Sequence, residues 1–148
     1  MGRLDSIRNV LRVSERIVSS GQPTATQLAD IAAAGFDAVI NLAMPDSDGA
    51  LADEAARVEA LGLGYVSIPV PYEAPERHHL EAFFAAMNAL AGRRVWVHCA
   101  LNWRASAFLY LYHRRVLGLP PESARRAMWP AWKPDAIWQA FLDSHDPR

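Results

Sequence analysis

The stretch Val95-Trp96-Val97-His98-Cys99-Ala100-Leu101-Asn102-Trp103-Arg104-Ala105-Ser106-Ala107 decides how the rest of the chain is read. Its opening, Arg94 to His98, is β-branched and aromatic, as in a buried strand. Ala105 to Val116 has helical character, so the residues between form a short turn from strand into helix. The first N–H groups of a helix have no intrahelical partner, and with the helix dipole they form a place for an anion. Arg104 adds a cation able to grip an oxyanion at two points. Cys99 follows the strand directly, where the same field favours its thiolate. Asn102 tolerates the left-handed backbone that so tight a loop needs.

Outward from this turn the segments alternate in type. Strands are expected at Arg16–Ser19, Ala38–Leu42 and Tyr65–Val70, the last interrupted by Pro69. Helices are expected at Thr24–Ala34, Leu51–Leu61 and Pro75–Ala91. Thr24 and Gln27 have capping-box spacing, and Gly35 and Gly62 are candidate stops. The Pro45–Gly49 stretch has loop composition. Two further helices are expected at Pro121–Met128 and Pro134–Asp143, with Pro121 and Pro134 as first-turn residues. Alternation of this kind predicts an α/β fold: a three-layer, parallel-type sheet flanked by helices, with C-terminal helices. Ligands of such sheets bind beyond the carboxyl ends of the strands, where Cys99 lies.

With 148 residues the chain is expected to form a single domain, residues 1–148. A net charge of −1 argues against a nucleic-acid partner. One cysteine excludes an internal disulfide framework and any multi-cysteine zinc site. No apolar run is long enough to span a bilayer, and Met1 to Arg12 has no apolar leader core. The expectation is a cytoplasmic protein without a membrane partner. His78 and His79 are adjacent on a helix and do not face one another, so they suit no metal. Arg114-Arg115 and Arg125-Arg126 read as solvated helix faces, or as a basic rim attracting phosphorylated partners. Trp129, Trp132 and Trp138 are expected to pack the C-terminal helices on the core.

Val97-His98-Cys99, followed closely by Arg104 and Ser106, resembles the phosphate-binding loop of cysteine-dependent protein tyrosine phosphatases. Ser20-Gly21-Gln22-Pro23-Thr24, Ala34 to Leu42 and Tyr65 to Val70 are similar to a compact bacterial, dual-specificity-related branch of that family. Members of the branch occur alone or fused to metallo-hydrolase domains. The resemblance covers roughly residues 15 to 142. It implies that Cys99 attacks phosphorus and forms a phosphocysteine. Arg104 and the amides of Ala100, Leu101, Asn102, Trp103 and Ala105 would hold the phosphate. Ser106 would hydrogen-bond the sulfur, and His98 would orient the loop. Partners would be a phosphorylated protein or small phosphorylated molecule, and no cofactor or metal is implied.

Two features depart from the family pattern. Four residues separate Cys99 from Arg104, one fewer than the family places there. Either Ser106 is in register and Ala105 takes the arginine position, or Arg104 is in register and Ala105 takes the hydroxyl position. The loop that supplies the family's general-acid Asp reads Pro71-Tyr72-Glu73-Ala74-Pro75-Glu76. Tyr72 falls at the acid's position, and Glu73 beside it is the candidate acid. Asp46 and Asp48 are further candidates. Two other chemistries therefore stand beside hydrolysis. One is an inactive or weakly active anion-binding module. The other is a rhodanese-like sulfur transfer through a Cys99 persulfide, whose loops place an arginine at this distance from the cysteine and need no acid. Trp103, inside the loop, would either wall the pocket or pack over it.

Overall fold

The computed structural model describes residues 3–147. Five strands form one sheet: β1 (Leu11–Arg12), β2 (Ile17–Ser20), β3 (Ala38–Asn41), β4 (Gly64–Ser67) and β5 (Val95–His98). Their spatial order is β1-β2-β5-β3-β4. All neighbours are parallel except β1, which runs antiparallel to β2. The helices are α1 (Ala25–Ala33), α2 (Glu54–Ala60), α3 (Arg77–Ala89), α4 (Trp103–Arg115), α5 (Pro121–Ala124) and α6 (Ala136–His145).

Period-two alternation distributes the central strands between two cores. Ile17, Ile40, Val95 and Val97 face a core shared with Phe83 of α3, Phe108 of α4 and Trp138 of α6. Val18, Val39 and Trp96 face the opposite core, with Leu28 and Ile31 of α1 and Val58 of α2. This is the expected three-layer arrangement. Complete burial of each such large side chain contributes about 1.5–3 kcal/mol. Helix α4 lies deepest, with every residue from Arg104 to His113 buried.

Local signals explain most boundaries. Thr24 accepts from the Gln27 N–H and Gln27 bonds back to Thr24, completing the capping box of α1. Gly35 follows α1 with φ 90°, a left-handed stop. Pro121 opens α5 at its first turn. Pro134 does not play that part for α6: the cap is Asp135, whose carboxylate accepts from the Trp138 N–H at 2.9 Å. The Tyr65–Val70 strand ends early, at Ser67, because Pro69 has no N–H to donate. Pairing still continues around it, from the Ile68 N–H to Asn41 O and the Val70 N–H to Leu42 O. Helix α4 begins at Trp103 rather than Ala105, which shortens the turn after Cys99. Among the described residues no helix is long and apolar enough to cross a membrane.

Candidate active site

The strand pleat sends consecutive residues at the end of β5 to opposite sides. Cys99 joins the core that contains Val97, while His98 lies on the other side, toward α2. Both are fully buried. His98 Nε2 is 2.6 Å from Glu54 Oε2, and Nδ1 is 3.1 Å from the Cys99 carbonyl. Glu54, at the first turn of α2, is itself only 3% exposed. Its other oxygen accepts from Gln22 Nε2 at 2.7 Å. Burial alone would raise the Glu54 pKa. The hydrogen bond and charge of His98, with contributions from Gln22 and Tyr65, outweigh burial and hold it below its ordinary value.

The turn itself is held from outside, one carbonyl at a time. Cys99 O faces His98 Nδ1. Ala100 O accepts from the Gln22 N–H at 3.0 Å, and Leu101 O from Asn9 Nδ2 at 2.9 Å. Asn102 O accepts from both the N–H and the hydroxyl of Ser106. All described peptide bonds are trans, so in each unit the N–H points opposite to its carbonyl. Pinning these carbonyls outward therefore aims the N–H groups of Ala100, Leu101 and Trp103 the other way, while that of Asn102 belongs to the Gly21–Leu101 bridge. Those of Ala100, Leu101 and Trp103 find no acceptor among the described residues. Asn102 makes the tight turn possible by adopting the expected left-handed conformation, φ 67° and ψ 19°. Its amide donates to Asn9 O at 2.8 Å and Ser19 Oγ at 3.0 Å, fixing that conformation.

A cavity of about 100 Å³ opens at this turn, lined by Tyr72, Cys99, Ala100, Leu101, Trp103 and Arg104. It is smaller than the roughly 150 Å³ of an engineered cavity that binds benzene, so it suits a compact oxyanion and not a whole aryl group. Arg104, 6% exposed, donates from Nη1 to Val70 O at 2.8 Å. Its Nη2 lies 3.5 Å from Ser47 Oγ. Trp103 walls the cavity and also stacks on Trp132, with ring centroids 6.3 Å apart and planes 9° apart. Tyr72 packs against Trp103 and Trp138, and Trp132 Nε1 donates to its hydroxyl at 3.3 Å. Burial pushes the Tyr72 pKa up, so a neutral phenol faces the cavity.

Arg104, rather than Ala105, is the residue beside Cys99, which leaves Ala105 at the hydroxyl position of the resembling loop. The expectation for Ser106 is corrected accordingly. Its hydroxyl donates to Asn102 O and accepts from the Trp129 N–H at 2.8 Å, and makes no hydrogen bond to sulfur among the described contacts. Glu73 is likewise turned away: it is exposed and lines a separate cleft with Ile137, Phe141 and His145. Asp46 is exposed, and Asp48 pairs with Arg8 at 3.5 Å. Trp129, Trp132 and Trp138 pack on the core as expected. Arg114 is not a free surface charge, since it binds Asp146 at 2.7 Å and Leu119 O. Sequence reasoning missed Asn9, Gln22 and Glu54 as parts of the site, because each reaches it from a distant segment.

A parallel sheet carrying strand, cysteine, anion turn, arginine and helix in this order defines the cysteine-dependent tyrosine-phosphatase type of fold. The chain is 36% identical to the "Putative phosphatase (DUF442)" of Shewanella putrefaciens CN-32, with TM-score 0.85 over 97% of this chain and 94% of that one. It belongs to the DUF442 family within that fold. Tk-PTP in its active form shares the fold alone, with TM-score 0.77 and 20% identity over 92% of this chain and 95% of that one. A beta-lactamase hydrolase-like protein of Xylella fastidiosa is 32% identical over 100 residues, 65% of this chain. The match spans only 23% of that relative's length. No family model matches the chain.

Proposed function

We propose that the protein hydrolyses phosphate monoesters through a phosphocysteine on Cys99. The observation that carries this reading is the set of outward-pinned carbonyls from Cys99 to Asn102, together with Arg104 in the same cavity wall. Such N–H groups cost no reorganisation when charge develops on the phosphoryl oxygens. In the first step a sulfur lone pair forms the S–P bond, and the ester P–O bond breaks with its electron pair leaving on oxygen. In the second step water attacks phosphorus, the S–P bond breaks, and the thiolate and inorganic phosphate result. Arg104 and the amides of Ala100 to Ala105 hold the equatorial oxygens in both steps. His98 orients the loop.

Among the described residues the cavity lining holds no carboxylate. Loss of general-acid help typically lowers rate by about 10²–10⁴. The proposed substrates are therefore phosphorylated proteins or small molecules whose leaving group needs little protonation, aryl phosphates foremost. The test is phosphate release from an aryl phosphate by the wild type and by Cys99→Ser. Release by the wild type alone is the expected result. Equal release by both would overturn hydrolysis, and retained sulfate binding would then identify an anion-binding module.

A further inference from the structure

We propose that Glu54 is a positioning residue for the anion loop: it holds the His98 ring through Nε2, so that Nδ1 holds the Cys99 carbonyl and the Ala100 N–H is turned toward the bound oxyanion. The inference rests on the loop being the oxyanion site proposed above. A carbonyl can only accept, so His98 Nδ1 must carry a proton to bind Cys99 O. Glu54 Oε2, at 2.6 Å, takes the hydrogen of Nε2 when the carboxylate is ionised. Against burial, His98 and Gln22, whose Nε2 donates to Oε1 at 2.7 Å, hold the Glu54 pKa below its ordinary value, which keeps the carboxylate ionised. With the carboxylate in place, Nε2 donates to Glu54 and Nδ1 to Cys99 O.

The other groups around the pair are consistent with this state. Gln22 comes from the turn after β2 and Tyr65 from β4. Burial first, and then the Glu54 charge, raise the Tyr65 pKa, so the phenol stays neutral. Asn41 of β3 donates to that phenol at 3.0 Å. Cys99 lies on the far side of the sheet. A buried ion pair of this kind adds little net stability over apolar residues of the same volume. What it provides is a direction, because the Cys99 carbonyl and the Ala100 N–H belong to one planar peptide unit. Gln22 reinforces this by binding Glu54 through its side chain and Ala100 O through its backbone N–H. The same residue thus aligns two consecutive peptides of the loop.

The test removes the thiolate, so that binding reports the loop alone. Sulfate affinity is measured by calorimetry, beside a thermal melt, in Cys99→Ser and in Cys99→Ser/Glu54→Gln. Affinity should fall about tenfold in the Glu54→Gln variant while it remains folded. Equal affinities in the two folded variants would overturn the role of Glu54 and leave the oxyanion loop standing. Failure of Cys99→Ser to bind sulfate at any pH would overturn the oxyanion reading, and this inference with it. A second measurement leaves Glu54 untouched. Nitrogen-15 NMR of the His98 ring in Cys99→Ser should show Nδ1 carrying the hydrogen bonded to Cys99 O. An Nδ1 without that hydrogen would overturn the proposal even if Glu54→Gln does not fold.

Discussion

At the scale of single residues the cavity is decided by Arg104, Trp103 and Tyr72. Arg104 is partly spoken for by Val70 O, yet its position in the wall is fixed by that bond. Lysine cannot reproduce two donors in one plane. Arg104→Lys should therefore lower kcat/KM for an aryl phosphate by about 10²–10³, the usual loss for one preorganised oxyanion donor. A change smaller than about threefold in steady-state assays would show that the guanidinium does not touch the substrate. Sequence made Cys99, Arg104 and the left-handed Asn102 legible because their signals are local: a strand end, a short turn and a helix start. It misplaced Ser106 and Glu73 because the direction of a side chain depends on what packs against it. For Ser106 that partner is the Trp129 N–H, 23 residues away.

At the scale of elements the loop depends on a close approach between two turns. A Cβ on Gly21 would lie 2.5 Å from Ala100 O, a backbone atom that cannot swing aside. Gly21→Ala should displace the Ala100 peptide and weaken sulfate binding by about tenfold or more, equivalent to ~1.4 kcal/mol. Asn102→Ala should do the same through its left-handed backbone, whose strain is about 1–2 kcal/mol for a side chain without local hydrogen bonds. Thr24→Ala is the informative contrast. It removes the cap of α1 and should cost about 1 kcal/mol of stability with binding intact. Calorimetry beside thermal melts separates the three, and a binding loss in Thr24→Ala equal to that in Gly21→Ala would refute the distinction. The order of strands and helices was readable from periodicity, as was this cap. The edge strand β1 was not, since two residues carry no pattern and exist as a strand only by pairing with Ser19 and Val18.

For the whole molecule, acid sensitivity should arise in two separate windows. His113 is buried on α4, its Nδ1 has no partner among the described residues, and burial lowers its pKa from 6.5. The unfolded chain therefore binds a proton that the fold resists. Stability is full above about 6.5 and declines as pH falls toward the depressed folded value. Glu54 is held below its ordinary 4.5, so its contribution is present above that value and is lost as pH falls through the folded one. Melting temperature should thus drop from pH 7 to 5 and again below 4.5. His113→Leu should flatten the first decline and leave the second. If the variant is as acid-labile as its parent between pH 7 and 5, the first window belongs to another group.

The bonds between Asn9 and the loop also set an order of events during synthesis. Asn9 precedes Leu101 by 92 residues and Asn102 by 93. At about 5–20 residues per second, it is synthesised roughly 5–20 s before its partners. In that interval β1 can pair with β2 and β3 with β4, but β5, which joins the two pairs at the centre of the sheet, arrives with the loop. Competence to hold an oxyanion is therefore acquired only once β5 and the turn after it have been made.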